Sequence, residues 1–251
     1  MNNGCIAIDR ILSKLDEYLN KNDYESARKH LLYWLSESER GCNPKSELLV
    51  RNELMGLYRK LGKKTEALEC VGAALNKIDE LDISETVGAA TTFLNCATVY
   101  KAFGSPNESV LLFEKAKKVY ESELESNDAR LGGLYNNFAL TLVDLGRFEE
   151  AYELYQKAIS VMQENENGAL EIAITYLNIA SAKEAELGPI LAEAEITKNL
   201  DIAMELLDAH EKRDGYYAFV CEKCASVYGY YGYFIYDNEL KERARRIYEG
   251  D

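Results

Sequence analysis

Proline is nearly absent from this chain, with three in 251 residues, and histidine and tryptophan are rarer, at two and one. Proline breaks helices because it lacks an N–H and its ring clashes with the preceding turn, so its scarcity leaves long helices uninterrupted. A lone Cys221-Glu222-Lys223-Cys224 pair supplies two of the four ligands of a structural zinc site, with no second Cys pair and with the only two histidines, His30 and His210, isolated from each other in sequence. No apolar run approaches the ~20 residues that cross a bilayer. The start, Met1-Asn2-Asn3-Gly4-Cys5, has no basic segment leading into an apolar one, and Asp9 and Arg10 follow at once, so no signal peptide is expected. Positive charge is also short: 29 Lys and Arg against 43 Asp and Glu give a net charge of −14. That field repels phosphate backbones and anionic membrane surfaces, so neither nucleic acid nor membrane is expected as a partner. It favours a basic partner mildly, although its first use is solubility. There is no Gly-rich phosphate loop, HExxH or GxSxG turn, so neither an enzyme nor a cofactor is expected.

Six cysteines are present, at positions 5, 42, 70, 96, 221 and 224. Most fall at apolar helix positions, where a free thiol acts as a small hydrophobe. Disulfide frameworks belong to small secreted chains, so the cytoplasm is the expected location.

What is plentiful is helix-forming material: 47% of residues are hydrophobic, and Ala, Leu, Glu and Lys recur throughout. Self-similarity is stronger still. Turn residues Asn22, Gly62, Gly104, Gly146 and Gly188 are spaced 40, 42, 42 and 42 apart. Gly and Asn tolerate the left-handed conformation that ends a helix. Five residues after the first four turns stand Ala27, Ala67, Ser109 and Ala151, and seven before them stand Leu15, Met55, Ala97 and Ala139. Small residues at facing positions let two antiparallel helices approach closely. Leu31, Val71, Phe113 and Tyr155 lie four residues past the small ones, one turn along the same face. Ser105-Pro106-Asn107-Glu108 and Gly188-Pro189 read as helix starts, with Asp214 and Asp237 as N-caps.

The spacing predicts helices over 5–20 and 23–39, 45–61 and 64–80, 84–103 and 106–124, 127–145 and 148–164, 168–187 and 190–211, 215–236 and 238–249. These form one solenoid of six pairs, at 5–40, 44–80, 84–124, 127–164, 168–211 and 214–249. The next turn after Gly188 is placed at Asn238, 50 residues on. That assigns extra turns to helix 190–211 and the start of helix 215–236, and makes the last pair an atypical cap.

Leu134-Tyr135-Asn136-Asn137-Phe138-Ala139 and Gly146-Arg147-Phe148-Glu149-Glu150-Ala151-Tyr152-Glu153-Leu154-Tyr155 resemble tetratricopeptide (TPR) repeats. The usual TPR unit is about 34 residues, and the longer unit here is similar to the kinesin-light-chain-like subgroup. The resemblance is strong over 44–164 and weak after 189. It implies an all-α, right-handed solenoid of antiparallel helix pairs, whose first helices line a concave face that commonly holds peptides. It implies no enzymatic activity and does not name a partner.

Asn95, Asn137 and Asn178, 42 and 41 residues apart, are read as falling at the same place in successive first helices and form a candidate amide ladder. In the resembled family the matching asparagine often bonds a bound peptide's backbone, and an amide offers both donor and acceptor. Its competing role is to bond neighbouring helix groups. Asn52, Arg59, Leu94, Lys101, Asn136 and Leu140 are the other candidate partner-binding residues. Arg59, Lys60 and Lys101 could clamp a carboxylate, but cations at helix C-termini are favoured by the helix dipole alone. The aromatic cluster from Tyr216 to Tyr236 reads first as packing of a terminal cap and, alternatively, as a homodimer surface.

The function expected is capture of an extended peptide or helix from a protein or peptide partner in the concave groove. One alternative is a structural subunit that assembles through its ends. Another is a sensor of small signalling peptides, which ordinarily adds an effector domain, whereas the first repeat here starts almost at once.

Overall fold

The computed structural model of the chain describes residues 8–250. Among the described residues it is all helical, with twelve helices: α1 Ile8–Asn20, α2 Tyr24–Arg40, α3 Pro44–Lys60, α4 Lys64–Leu81, α5 Val87–Ala102, α6 Pro106–Glu123, α7 Ala129–Asp144, α8 Phe148–Met162, α9 Gly168–Leu187, α10 Pro189–Ala209, α11 Gly215–Tyr230 and α12 Phe234–Glu249. The predicted start of α1 at residue 5, and Cys5 with it, lie outside the described residues.

All three prolines open helices, at the head of α3, α6 and α10, where the missing N–H costs nothing. Asp23, Asn43, Thr86, Asp128 and Asp214 cap α2, α3, α5, α7 and α11 by accepting from backbone N–H groups one turn ahead. Such a cap contributes typically about 1 kcal/mol. Within each pair the turn residue adopts positive φ: Asn22 (54°), Gly62 (67°), Gly104 (83°), Gly146 (71°), Gly188 (78°) and Gly232 (84°).

That last glycine corrects the sequence reading. α11 ends at Tyr230 rather than at 236, and α12 begins at Phe234 rather than at 238. The turn series therefore continues 44 residues beyond Gly188, at Gly232. The extra length sits in α9 and α10, at 20 and 21 residues, while α11 is ordinary at 16. Asp237 is not an N-cap but lies in the first turn of α12, where it pairs with Lys241 at 2.7 Å.

The chain forms two compact units, residues 1–123 and 124–251. In the N-terminal unit α1, α3 and α5 pack on α2, α4 and α6, and α3 lies beside α5. In the C-terminal unit α7, α9 and α11 pack on α8, α10 and α12, and α9 contacts both α7 and α11. Both cores use the small-residue column: Ala27, Ala67, Ser109 and Ala151 are fully buried. Beside them Leu31, Val71, Phe113 and Tyr155 are fully buried too. The Ser109 hydroxyl donates to the Ala97 carbonyl across its pair at 2.8 Å, which shows how closely the two helices approach.

Candidate partner-binding face

The first helix of each pair alternates a face packed on its second helix with a face left half-exposed. In the N-terminal unit the half-exposed face of α3 and α5 carries Asn52, Glu53, Leu94 and Asn95. The Asn52 amide donates to the Thr92 hydroxyl at 3.1 Å, and that hydroxyl donates to the Gly88 carbonyl at 3.1 Å. The Asn52 carbonyl oxygen is buried with no hydrogen-bond partner. Asn95, half-exposed, makes no side-chain hydrogen bond to the described residues; only its backbone carbonyl is used, accepting from Thr98 at 2.8 Å. Burial pushes the Glu53 carboxyl up, and the Asp16 carboxylate pushes it further.

At the C-terminal ends of these helices Arg59 is exposed and Lys101 half-exposed. Lys60 lies over the Tyr24 ring, 4.8 Å from its centroid, which turns it toward the second helix α2.

In the C-terminal unit the matching face of α7 and α9 carries Asn136, Asn137, Leu140 and Asn178, all half-exposed. The Asn178 amide donates to the Asn136 carbonyl oxygen at 3.0 Å, joining α9 to α7. Asn137 donates back to the Gly133 carbonyl of its own helix at 2.8 Å. This geometry revises the expected ladder. Asn95 and Asn137 stand nine residues before their turn glycines, whereas Asn178 stands ten before Gly188. The register mates of Asn178 are Asn136, Leu94 and Asn52, each 42 residues apart. The position matching Asn137 in α9 is Ile179, which is buried. One residue of offset turns a side chain by ~100° around a helix. The amides therefore fall into two sets: Asn52, Asn136 and Asn178 tie first helices together within each unit, and Asn95 and Asn137 do not.

The sequence reading missed a second set of contacts, between α9 and α11. Tyr216 of α11 donates to Glu171 of α9, and Tyr230 and Tyr231 donate to the two oxygens of Glu184 at 3.1 and 2.9 Å. Burial pushes the Tyr231 phenol up to about 12. These residues are 45, 46 and 47 apart, off the 42-residue period, so repeat spacing gives no signal for them.

Tyr217 and Tyr228 of the aromatic cluster are fully buried, donating to the carbonyls of Leu207 (3.3 Å) and Leu200 (2.7 Å) in α10. Cys221 and Cys224 share that core, and burial pushes the Cys224 thiol up to about 12.

The comparisons fit this geometry. The family model described as tetratricopeptide repeat matches residues 133–165, spanning most of α7, its turn and α8. Among solved structures, the crystal structure of a single-substitution variant of a Podosopora anserina putative kinesin light chain with nearly identical TPR-like repeats is similar, with a TM-score of 0.65 and 18% identity over 80% of this chain and 97% of that one. BtubC (BKLC) from P. vanneervenii is similar with a TM-score of 0.53 and 18% identity, over 98% of this chain and 92% of that one. No curated protein matches the sequence. The TPR-like fold is therefore shared with kinesin-light-chain-like repeat proteins across nearly the whole chain.

Proposed function

We propose that the chain is a protein-interaction module that holds an extended peptide or helix of a partner protein on the half-exposed face of its first helices. The observation that carries this is Asn95: a half-buried amide, flanked by Leu94 and one turn from Thr98, with no hydrogen bond from its side chain to the described residues. A polar group held half out of water without a partner costs little only while water solvates it, and it gains when a peptide backbone supplies both a donor and an acceptor. Asn52 and Asn136 tie first helices to their neighbours, Leu94 and Leu140 offer apolar contact, and Arg59 and Lys101 stand at the helix ends for an acidic partner group.

Binding rather than catalysis is also supported by the cysteines. Burial pushes the thiols of Cys96 and Cys224 up to about 12, far from a thiolate nucleophile at neutral pH. The resemblance to TPR proteins supports the same reading, with the cytoplasm as the expected setting.

Selection from a random peptide library on the immobilised protein tests it. Peptides enriched on the wild type should bind Asn95→Ala at least several-fold more weakly. A selected set that binds both equally would move the site away from this face.

A further inference from the structure

Six large apolar side chains crowd two consecutive turns of the C-terminal unit. On the α9–α10 turn Leu187 is 43% exposed, Ile190 85% and Leu191 78%; on the α11–α12 turn Tyr230 is 71% exposed, Phe234 65% and Ile235 80%. The repeat itself shows how unusual this is. Three residues after the turn residue stand Glu25, Thr65, Asn107 and Glu149 in the first four pairs, then Leu191 and Ile235 in the last two. The two turns are tied side by side. Tyr230 and Tyr231 both reach Glu184 at the end of α9, and the Tyr233 hydroxyl lies 3.2 Å from that of Thr197 in α10. An apolar stripe therefore runs across two hairpins, and contiguous exposed patches of this kind mark interaction sites.

Charge decides what fits it. Of the cations in the helices that carry the stripe, Lys183 and Lys241 next to it are already paired, with Glu186 at 2.9 Å and Asp237 at 2.7 Å, and Lys198 lies two turns further along α10 from Leu191. Glu184, Glu193 and Glu195 border the stripe with no cation partner among the described residues. The whole C-terminal unit carries 24 Asp and Glu against 12 Lys and Arg, so it holds −12 of the chain's −14. A second copy would set −12 against −12, and an anionic membrane would be repelled in the same way.

We propose that this stripe docks a basic amphipathic helix of a partner protein, separate from the first-helix face. Packed helices lie ~8–10 Å apart. Two turns of an incoming helix rise ~11 Å. Apolar residues seven apart on that helix would therefore reach both hairpins, while flanking Lys or Arg meet the carboxylates of Glu193 and Glu195.

The probe is a fluorescein-labelled peptide of about 18 residues, some five helical turns, of Leu and Lys in amphipathic helical order. Its controls are the same composition scrambled and a Leu/Glu counterpart. Anisotropy titrations compare the wild type with Ile190→Ser/Leu191→Ser/Phe234→Ser/Ile235→Ser, whose four sites are all exposed, and with Glu193→Gln/Glu195→Gln. The expected result is binding of the ordered Leu/Lys peptide that weakens with salt, falls roughly tenfold or more in the fourfold variant, and falls several-fold in the Gln variant. Asn95→Ala should bind this peptide as the wild type does, which separates this proposal from the first-helix reading. Equal affinity for wild type and both variants would overturn the proposal, as would equal binding of the scrambled or Leu/Glu peptide. Loss of binding in Asn95→Ala alone would assign the peptide to the first-helix face and also overturn it. A wild-type dimer in sedimentation that the fourfold variant dissociates would make the occupant a second copy instead.

Discussion

Ala151 is fully buried where α8 meets α7, with Ala139, Ala158 and Tyr155 all buried around it. Replacing it with leucine adds three carbons to a site without room for them. Burying those carbons would gain about 0.8 kcal/mol each if space existed, but forcing them into a packed core costs typically about 1–3 kcal/mol net. For a chain of this size each kcal/mol lowers the Tm by roughly 2–4 °C, so Ala151→Leu should lower it by about 2–12 °C. The repeat supplies the control. Ser109 is the equivalent residue one unit earlier, and its hydroxyl donates to the Ala97 carbonyl twelve residues before it. Ala139 stands twelve residues before Ala151, so a serine at 151 has an acceptor in the same place. Ala151→Ser should therefore stay within ~0.5 kcal/mol of the wild type, because its buried hydroxyl is satisfied. Urea and thermal melts followed by circular dichroism read both variants. An unchanged Tm for Ala151→Leu would refute the close approach of α7 and α8. A loss above about 2 kcal/mol for Ala151→Ser, the cost of an unsatisfied buried hydroxyl, would refute the equivalence of the two repeats.

Further outcomes follow from particular contacts. Asn178→Ala should cost about 0.5–1.5 kcal/mol through its lost bond to Asn136, and a double-mutant cycle with Asn136→Ala should recover most of that as coupling. Glu53 has a folded pKa raised above its unfolded value, so its contribution is complete below the ordinary carboxylate pKa of about 4.3 and is lost as pH rises through the raised value. Glu53→Gln should accordingly flatten the fall in Tm as pH rises from about 4.3 through the raised value, and an unchanged pH profile would count against the burial of this carboxyl. Gly232→Ala, at φ 84°, should cost about 1 kcal/mol by denaturant melt, as expected for a left-handed non-glycine residue. Among Cys42, Cys70, Cys96, Cys221 and Cys224 only Cys42 is exposed, so an aromatic disulfide reagent should label it first and reach the other four on unfolding.

The repeat was legible because its physics is local. A turn residue at positive φ, a small residue five later and an aromatic or aliphatic residue four beyond that recur by position, and the helices they bound fall within a few residues of prediction through α10. The last pair was misjudged because Tyr228-Gly229-Tyr230-Tyr231-Gly232-Tyr233-Phe234 offers two glycines in an aromatic run. Only Gly232 takes positive φ, while Gly229 stays inside α11 with the Asp237 carboxyl against it. The candidate face was legible in its residues but not in its register. Asn136 and Asn137 are adjacent, and sequence alone does not say which of them continues to Asn178; the hydrogen bond does. Of the exposed stripe, Tyr230 and Phe234 belong to the aromatic cluster that read alternatively as a surface, whereas Leu187, Ile190 and Leu191 gave no such signal. Apolar residues after a turn read as core, and their exposure appears only once neighbouring helices are in place.

The most direct test of the central claim is site-specific photocrosslinking in a native cell extract. A benzophenone amino acid is placed at Leu94 on the first-helix face of the N-terminal unit, or at Leu111, which is 62% exposed on the second helix α6. The account predicts a discrete crosslinked partner from position 94 that is lost in an Asn95→Ala background and absent from position 111. The same partner crosslinked from 111 and not from 94 would contradict it.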